Sequence, residues 1–427
     1  MLKQIEGSQA VAEAVSMCRP EVICAYPITP QTHIVEALGA KVKKGELNAE
    51  FLNVESEFAA MSVAVGASAV GARAYTATAS QGLLYMSEAV YNAAGLGLPI
   101  VMTVANRAIG APINIWNDHS DAMSQRDAGW IQLYAETSQE ALDLHIQAFR
   151  IAEELSNPVM VCMDGFLLTH ASERADIPRQ DQVDMFLPPY EPRQLLDPAD
   201  PVSIGAMVGP EAFTEVRYLA YQRMQQALEV IPAVAAGFGM EFGRSSGGLV
   251  RPYFTEDAEV IVVALGSVLG TIKDTVDELR AEGMRVGVLG ITAYRPFPVD
   301  AVRAALGSDS QLRRIVVLER ALAPGTDGIV TADVRMALAA ANGRPSHAPE
   351  ALISTVVAGL GGRAITRKSL RAMLADSVAG RLRPLTFLDL DTSLVGRELD
   401  RMRAARRSGP SAENILRDLG IVGSRVG

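Results

Sequence analysis

The first residue of the chain that could contact a ligand is Thr29, which lies in a turn between two prolines. The segment YPITP, residues 26–30, follows an apolar run, and its two prolines make the turn stiff. Such a turn presents the Thr29 hydroxyl in a fixed position. An ordinary strand-to-helix connection with Thr29 as the N-cap explains the same pattern.

Two acidic residues open a helical pattern that otherwise contains almost no charge. Glu55 and Glu57 precede a run of small residues that ends at Ala72. A buried carboxylate is costly unless it has a partner, although a helix N-terminus offsets part of that cost. The pattern therefore fits either a carboxylate with a functional partner or a simple helix cap.

An arginine follows a third apolar run, Pro99–Ala105. A guanidinium at the end of a buried strand suits a carboxylate ligand, because it can donate two parallel hydrogen bonds. An internal ion pair explains Arg107 equally well. The candidate partners for such a pair are Asp118, Asp121 and Asp127.

Other recognisable sites are weak or missing in the sequence. His119 lies between two aspartates, but one histidine is a weak signal for a metal or a catalytic triad. There is no GxxxxGK[ST] loop, no GxGxxG after a strand and no GxSxG elbow. Cys18, Cys24 and Cys162 form no CxxC pair and are too few for an iron–sulfur cluster or structural zinc. We expect buried thiols and no metal ligands in this chain.

The candidate residues depend on strands that alternate with helices. This alternation predicts an α/β fold with a doubly wound parallel sheet, in which ligands bind at the carboxyl ends of the strands. The clearest helix is predicted over Ser138–Ser156, with a capping box that begins at Thr137. The predicted strands are Glu21–Ala25, Phe51–Val54, Arg73–Thr78, Ile100–Ala105 and Val159–Met163.

Four regions are predicted along the chain. The connector contains one helix, Glu211–Val230, and a Gly-rich loop, Gly237–Gly248. The Arg-rich tail fits either a solvated helix or a clamp for an acidic partner subunit. The regions are a first domain at 1–180, the connector at 181–255, a second α/β domain at 256–375 and the tail at 376–427.

Composition narrows the class of protein. The chain has 427 residues, of which 49% are hydrophobic and 21% charged, as is typical of a soluble α/β protein. A net charge of −10 argues against nucleic acid as the main partner, because phosphate contacts need a basic surface. The sequence shows neither a signal-peptide core nor a membrane-spanning run, so we expect a cytoplasmic protein with no membrane partner.

The ordered motifs together resemble the α subunit of pyruvate:ferredoxin oxidoreductase and its thiamine-diphosphate-dependent 2-oxoacid:acceptor oxidoreductase relatives. The resemblance covers nearly the whole chain and is specific because of the order and spacing of its segments. It implies a pyrimidine-binding domain followed by a domain like the C-terminal domain of transketolases. The segments are YPITP at 26–30, VESEFAA at 54–60, TATASQG at 76–82, VANRAIGAPINIWNDHSD at 104–121, MDGF at 163–166, YRPFP at 294–298 and GLGGRAIT at 359–366.

The resemblance implies which residues contact the cofactor. Glu57 takes the place of the glutamate that hydrogen-bonds to N1′ of the aminopyrimidine of thiamine diphosphate, and a partly buried glutamate suits this proton sharing. Ile28, Ser80 and Gln81 are expected to contact the cofactor as well. Glu55 has no such role in the family.

The resemblance also implies substrate contacts and partner subunits. Thr29 would hydrogen-bond to a 2-oxoacid, and Arg107 would hold its carboxylate and orient its carbonyl group. The family keeps its Mg²⁺–diphosphate motif in a β subunit, and Met163-Asp164-Gly165 lacks the residues of that motif. A β subunit, iron–sulfur electron-transfer subunits and a γ-type subunit are therefore expected, and this chain alone is expected to be inactive.

The reaction implied is CoA-dependent oxidative decarboxylation of a 2-oxoacid to acyl-CoA and CO2, with electrons passed to ferredoxin or another acceptor. Pyruvate is the default substrate. An aromatic 2-oxoacid such as phenylglyoxylate, 2-oxoglutarate or a branched-chain oxoacid would use the same contacts. The YPITP segment and the missing diphosphate motif disfavour a transketolase-like carbon–carbon transferase. A third hypothesis is a non-catalytic scaffold subunit.

Overall fold

The apolar runs of the sequence form two mainly parallel sheets and one antiparallel ribbon. A computed structural model of the chain describes residues 1–307, 311–339, 352–405 and 407–421. The strands are β1 (Leu2–Glu6), β2 (Val22–Ala25), β3 (Glu50–Asn53), β4 (Ala74–Thr78), β5 (Val101–Asn106), β6 (Ile131–Tyr134), β7 (Val159–Asp164), β8 (Ser172–Asp176), β9 (Val250–Tyr253), β10 (Val260–Ala264), β11 (Val286–Ile291), β12 (Ala293–Arg295), β13 (Arg314–Glu319), β14 (Leu352–Val357) and β15 (Leu385–Phe387).

Helices connect most of these strands, as the predicted strand–helix alternation requires. The predicted cap of the long seventh helix is present, because the Thr137 side chain accepts a hydrogen bond from the Glu140 backbone N–H. The helices are α1 (Gly7–Met17), α2 (Thr32–Lys43), α3 (Glu57–Ala69), α4 (Ser80–Tyr85), α5 (Ser87–Leu96), α6 (Ser120–Ser124), α7 (Ser138–Leu155), α8 (Gln180–Phe186), α9 (Phe213–Phe242), α10 (Val268–Ala281), α11 (Val299–Gly307), α12 (Ile329–Leu338), α13 (Arg367–Val378), α14 (Thr392–Ala404) and α15 (Ser411–Asp418).

The first sheet has the order β12-β6-β7-β5-β4-β2-β3, and the strands from β6 to β3 are parallel. The five strands predicted from the sequence are confirmed, each within one residue at either end. Both faces of the sheet are buried. Val101 packs into the hydrophobic cluster on one face and Met102 into the cluster on the other. A doubly wound parallel sheet is therefore confirmed.

The second sheet has the order β15-β14-β13-β10-β11-β9, with β9 antiparallel at one edge. Strand β9 lies within the predicted connector and β15 within the predicted tail, so this sheet extends beyond residues 256–375 on both sides. The two sheets also share a hydrophobic cluster. It contains Tyr134 of β6 in the first sheet together with Ile261 and Val263 of β10 in the second.

The connector helix is longer than the sequence predicts. Helix α9 continues past Val230 and Pro232 to Phe242, so the predicted loop at Gly237–Gly248 begins only at Gly243. A proline inside a helix costs about 3 kcal/mol, whereas burying each large apolar side chain gains about 1.5–3 kcal/mol. Burial outweighs the proline because α9 buries three such side chains at helical spacing, those of Ile231, Val234 and Phe238.

After β15, the described part of the tail forms α14 and α15, which are joined by ion pairs. Arg397 and Arg401 both contact Asp418 of α15. These internal pairs favour the solvated-helix interpretation of the tail. Two of its arginines, Arg406 and Arg425, lie outside the described residues. Among the described helices, none combines the length and the apolar character that crossing a membrane requires.

Candidate active site

The predicted site residues meet at the carboxyl ends of neighbouring strands. Strands β5, β4, β2 and β3 are adjacent in the first sheet, and they are followed by Arg107, Ser80, the turn at 26–30 and Glu57 respectively. The Arg107 guanidinium donates a hydrogen bond of 3.0 Å from Nη1 to the backbone carbonyl of Thr29. Parallel strands place their carboxyl ends at one edge, so residues 78 positions apart in the chain come together.

Thr29 lies in the turn without serving as a helix cap. Helix α2 begins at Thr32 and its N-cap is Gln31, so the N-cap interpretation of Thr29 is wrong. Thr29 is exposed, and its carbonyl group accepts the hydrogen bond from Arg107. Its hydroxyl group therefore remains a candidate for contact with a ligand at the mouth of the site.

Arg107 is buried and forms no ion pair within the described residues. Its side chain donates to two carbonyl groups, those of Thr29 and Asn114. The alternative ion pair with Asp118, Asp121 or Asp127 is therefore wrong for its guanidinium. Burial lowers the pKa of Arg107 from its usual value, while the nearby charge of Asp121 opposes that shift. A buried cation held only by carbonyl groups suits an anionic ligand.

Asp121 organises the backbone around this arginine, a role that the sequence analysis missed. Its carboxylate accepts hydrogen bonds of 2.9 Å from the backbone N–H groups of Ser80 and Arg107, and another from the Asn106 side chain. The Ala122 N–H donates a fourth. Burial raises the pKa of Asp121 to about 6, although these four bonds lower it in part. From the sequence, Asp121 was a candidate only for an ion pair with the Arg107 side chain.

Glu57 is buried, with 7% of its surface exposed, whereas Glu55 is exposed. The side-chain cap of α3 is Ser56, which accepts from the Ala59 N–H, whereas Glu57 is the first residue of the helix and lies in its first turn. The cap interpretation is therefore wrong for Glu55, and for Glu57 only its position at the helix N-terminus is confirmed. Within the described residues, no hydrogen bond or ion pair engages the Glu57 carboxylate. A buried carboxylate without a protein partner is expected to find one on a ligand.

The absence of a side chain at Gly82 leaves room for this carboxylate. A Cβ atom at Gly82 would lie 2.7 Å from Oε1 of Glu57 and 2.7 Å from Oγ1 of Thr78. The Thr78 hydroxyl is itself buried without a hydrogen-bond partner. The unpartnered carboxyl group at a helix N-terminus fits the proton-sharing contact with an aminopyrimidine that the family resemblance implies.

Ser80, Gln81 and Ile28 surround this edge of the sheet. Ser80 is buried with φ +52°, and its hydroxyl donates to the Ala108 carbonyl. Gln81 donates from its amide to the Gly110 carbonyl at 3.3 Å. Ile28 is half-buried in the turn. Ser80 already uses its hydroxyl and N–H groups, so it supports the loop, and the cofactor contacts of all three residues stay a prediction.

His119 lies in a buried charge cluster between the two domains. Its Nε2 atom lies 2.8 Å from Oδ1 of Asp164, and the other oxygen of Asp164 accepts from Arg320 and from Ser267. Burial alone would raise the pKa of Asp164, but the charges of Arg320 and His119 hold it well below its usual range. We therefore assign His119 and Asp164 a structural role, in which they join the two domains.

A loop of the second domain also reaches the site. The Asn114 amide donates to the Gly361 carbonyl at 3.2 Å, and the Gly361 N–H donates to Asp118 at 3.0 Å. Gly361 and Gly362 have positive φ, and a Cβ at Gly362 would lie 2.5 Å from Cβ of Trp116. The second domain thus holds the segment that contains Asn114. The carbonyl group of Asn114 in turn accepts a hydrogen bond from Arg107.

Comparison with known families defines the class of protein. Residues 13–236 match the family described as pyruvate flavodoxin/ferredoxin oxidoreductase, thiamine diphosphate-binding, and residues 258–370 match pyruvate:ferredoxin oxidoreductase core domain II. The first domain is therefore of the thiamine-diphosphate-binding class. A relative of similar sequence is pyruvate synthase subunit PorA of Methanosarcina barkeri, which is 52% identical over 76% of this chain and 80% of its own length. The chain belongs to the pyruvate:ferredoxin oxidoreductase family and corresponds to its α subunit, as the motifs predicted.

Solved structures share the fold at low sequence identity. A 2-oxoglutarate:ferredoxin oxidoreductase from Magnetococcus marinus superposes with a TM-score of 0.67 and 17% identity. The match covers 88% of this chain and 65% of that one. A split-gene transketolase superposes with a TM-score of 0.51 and 14% identity, over 88% of this chain and 99% of that one. The predicted succession of a thiamine-type domain and a transketolase-like domain is confirmed at the level of the fold.

Proposed function

We propose that the chain is the α subunit of a multi-subunit enzyme that carries out the CoA-dependent oxidative decarboxylation of a 2-oxoacid. Pyruvate is the proposed substrate, because the M. barkeri relative is named as a pyruvate synthase subunit. The products are acyl-CoA and CO2, and ferredoxin or another acceptor takes the electrons. The observation that carries the proposal is the buried Glu57 carboxylate, which no described residue of the chain engages.

Glu57 is the proposed anchor for the cofactor. Bound thiamine diphosphate would supply the nucleophilic carbon that attacks the 2-oxoacid and the electron sink for its decarboxylation. The Glu57 carboxylate would share a proton with N1′ of the aminopyrimidine, and Gly82 keeps the space beside Oε1 open for that geometry. Ile28, Ser80 and Gln81 are proposed to line the same cofactor pocket.

Arg107 and Thr29 are the proposed substrate contacts. The buried guanidinium of Arg107 would hold the carboxylate of the 2-oxoacid, and the Thr29 hydroxyl would hydrogen-bond to the substrate. The bond from Arg107 to the Thr29 carbonyl fixes the two residues relative to each other. Orientation of the keto group before attack is the contribution expected from this pair.

Partner subunits are proposed to supply the rest of the site. The three cysteines are buried separately, and burial raises the pKa of each thiol, so this chain alone lacks the ligands for an iron–sulfur cluster. Asp164 of the MDGF segment is occupied by His119 and Arg320. A β subunit that binds Mg²⁺ and the diphosphate, iron–sulfur subunits and a γ-type subunit complete the proposed complex.

The central test is Glu57→Gln in the purified complex, with Glu55→Gln as the matched control. We expect Glu57→Gln to lower the rate of viologen reduction with 2-oxoacid and CoA by about 10²–10⁴-fold, because the amide cannot share the proton. The exposed control is expected to keep the wild-type rate. An unchanged rate in intact Glu57→Gln complex would support a scaffold role instead. A panel of 2-oxoacids, each assayed with and without CoA, identifies the substrate.

A further inference from the structure

Glu6, His33 and His170 come from three separate parts of the first domain and meet beside the site. Glu6 ends β1, His33 lies in the first turn of α2, and His170 lies in the turn between β7 and β8. Each side chain offers one ligand atom, and these three atoms lie within 4.8 Å of one another. We propose that this triad binds a divalent transition-metal ion, with Zn²⁺ as the best match.

The chemistry of the three ligands selects the class of ion. Two imidazoles and one carboxylate suit Zn²⁺ and neighbouring first-row metals, whereas Mg²⁺ and Ca²⁺ prefer sets made only of oxygen atoms. Three protein ligands leave a fourth position of the tetrahedron for water. No metal ligand is predicted from the sequence, where only the three cysteines and His119 were candidates. Glu6, His33 and His170 lie far apart in the chain and form no spaced motif.

Hydrogen bonds already orient the ligand side chains. Nδ1 of His170 lies 2.7 Å from Oγ1 of Thr169, and Nδ1 of His33 lies 2.7 Å from Oε1 of Glu6. Oγ1 of Thr169 also accepts from the Phe166 N–H, and its two lone pairs allow both bonds. In metal sites the second ring nitrogen of a ligating histidine is held by such an outer partner, and for His170 this leaves Nε2 for the metal. The contact between His33 and Glu6 joins two of the proposed ligands, and bonds to the ion would replace it.

The geometry allows closure around an ion without backbone movement. The two imidazole rings lie 4.5 Å apart between centroids and are tilted by 35°. Ligand atoms around tetrahedral Zn²⁺ are separated by about 3.3 Å, given metal–ligand distances of about 2.0–2.1 Å. The separations therefore need to shorten by at most about 1.5 Å, which side-chain rotation can supply because the His33 and Glu6 side chains are only partly buried. Partial exposure also provides a path for the ion from solvent.

A metal at this position would join three elements that border the candidate site. Helix α2 begins three residues after Thr29, and β1 pairs with β8. The His170 ring lies 4.8 Å from the Phe166 ring, which in turn lies 4.6 Å from the ring of Trp116. The ion would therefore stabilise the fold around the turn that presents Thr29, independently of the chemistry proposed at Glu57.

The test is metal binding by the full chain. Co²⁺ is titrated into wild type, His33→Gln and His170→Gln, with His347→Gln as a control for a histidine outside the described residues. Wild type should bind one equivalent with visible ligand-field bands, and Zn²⁺ should displace it. Removal of a residue that only hydrogen-bonds to a metal ligand lowers metal affinity by about 10–100-fold. Removal of either ligand itself should therefore weaken binding by at least about a hundredfold.

A second readout separates metal binding from a folding defect. Zn²⁺ should raise the thermal unfolding midpoint of wild type and of His347→Gln, and should leave the midpoints of His33→Gln and His170→Gln unchanged. Three results would overturn the proposal: wild type that fails to bind one equivalent, full affinity in both ligand variants, or a thiolate-to-cobalt charge-transfer band that assigns binding to a cysteine.

Discussion

At the scale of single residues, the candidate site depends on a carboxylate that faces the backbone of the chain. Asp121 accepts from the N–H groups of Ser80 and Arg107, and thereby fixes the ends of β4 and β5 relative to each other. Its burial is tolerated because four donors surround it. Asp121 is thus a positioning residue for Arg107.

Replacement of Asp121 by asparagine should weaken substrate binding. Each carboxylate oxygen accepts two of the four hydrogen bonds, so in either orientation the amide NH2 group would face two donors where an acceptor is needed. Hydrogen bonds to charged groups contribute about 1.5–3 kcal/mol, so KM for the 2-oxoacid should rise about 10- to 100-fold, with a smaller change in kcat. Steady-state kinetics of the complex measure this. Asp127→Asn, at an exposed position six residues away, is the control and should keep the wild-type KM.

The raised pKa of Asp121 also predicts a pH dependence. Below about pH 6 the carboxyl group becomes protonated and loses acceptor capacity, so the wild-type KM should increase on acidification. Because the folded pKa lies above the ordinary value of 3.8, the contribution of this group to stability is present below pH 3.8 and is lost as the pH rises through 6. In Asp121→Asn the inflection near pH 6 should be absent. An inflection that persists in the variant would assign it to another group.

At the scale of elements, the packing of α3 against α4 positions Glu57. The first residue of α3 is Glu57, and the close approach of α4 is possible because its third residue is Gly82. The space around Oε1 of Glu57 is therefore set by an element from a different part of the chain.

Gly82→Ala should displace the Glu57 carboxylate while the sheet remains intact. The new methyl group would lie 2.7 Å from Oε1 of Glu57. Alanine is readily accommodated in the backbone of helix α4, so we expect the Glu57 side chain to move instead. We expect loss of thiamine diphosphate binding and at least a tenfold lower rate of viologen reduction.

The matched control for this substitution is Gly95→Ala in α5. Apart from residues adjacent in sequence and the backbone of its own helix, no atom lies within 4 Å of a Cβ at that position. The variant should therefore keep wild-type activity. It should also gain about 0.5–1 kcal/mol of stability from helix propensity. Full activity in Gly82→Ala would contradict the role assigned to this contact.

Element boundaries were predictable where a local pattern and tertiary packing agree. The five strands of the first domain were placed within one residue, because four of them are short runs of mainly buried apolar residues bounded by turn formers, and the edge strand β3 is bounded in the same way. Helix α9 was predicted to end twelve residues too early. Its C-terminal half forms because Phe238 stacks on Phe242 and meets Phe186, and those contacts are not visible in the local pattern.

At the scale of the whole molecule, a buried charge cluster joins the two domains. Asp164 and His119 belong to the first domain, and Arg320 and Ser267 to the second. Gly266, with φ +76°, allows the close approach, since a Cβ there would lie 3.1 Å from Nε2 of His119. This cluster joins the domains together with the shared hydrophobic cluster and the pairing of β12 with β6, and the contact of Gly361 with Asn114 is a further link between them.

Asp164→Asn should destabilise the chain strongly. Loss of the carboxylate leaves the buried charge of Arg320 uncompensated, which costs about 3–5 kcal/mol. Chemical denaturation of the full chain measures the free energy of unfolding. Asp300→Asn removes an exposed ion pair with Arg303 and should cost at most about 1 kcal/mol.

The pH dependence of this variant follows from the direction of the Asp164 shift. Its folded pKa lies below the ordinary value of 3.8, so its stabilisation is present above pH 3.8 and is lost as the pH falls further. Wild type should lose stability in that acid range, and Asp164→Asn should lose less. Equal stability of wild type and Asp164→Asn near pH 7 would show that the cluster does not hold the domains.

The sequence by itself determined the class of fold, the family and the segments that form the site, because these depend on local periodicity and on the order of motifs along the chain. The choice of Glu57 over Glu55 as the cofactor contact came only from the family resemblance. The tertiary structure decided which carboxylate is buried without a partner, which carbonyl groups hold Arg107 and which charges join the domains. These features depend on distances between residues far apart in the chain, and no local pattern encodes such distances.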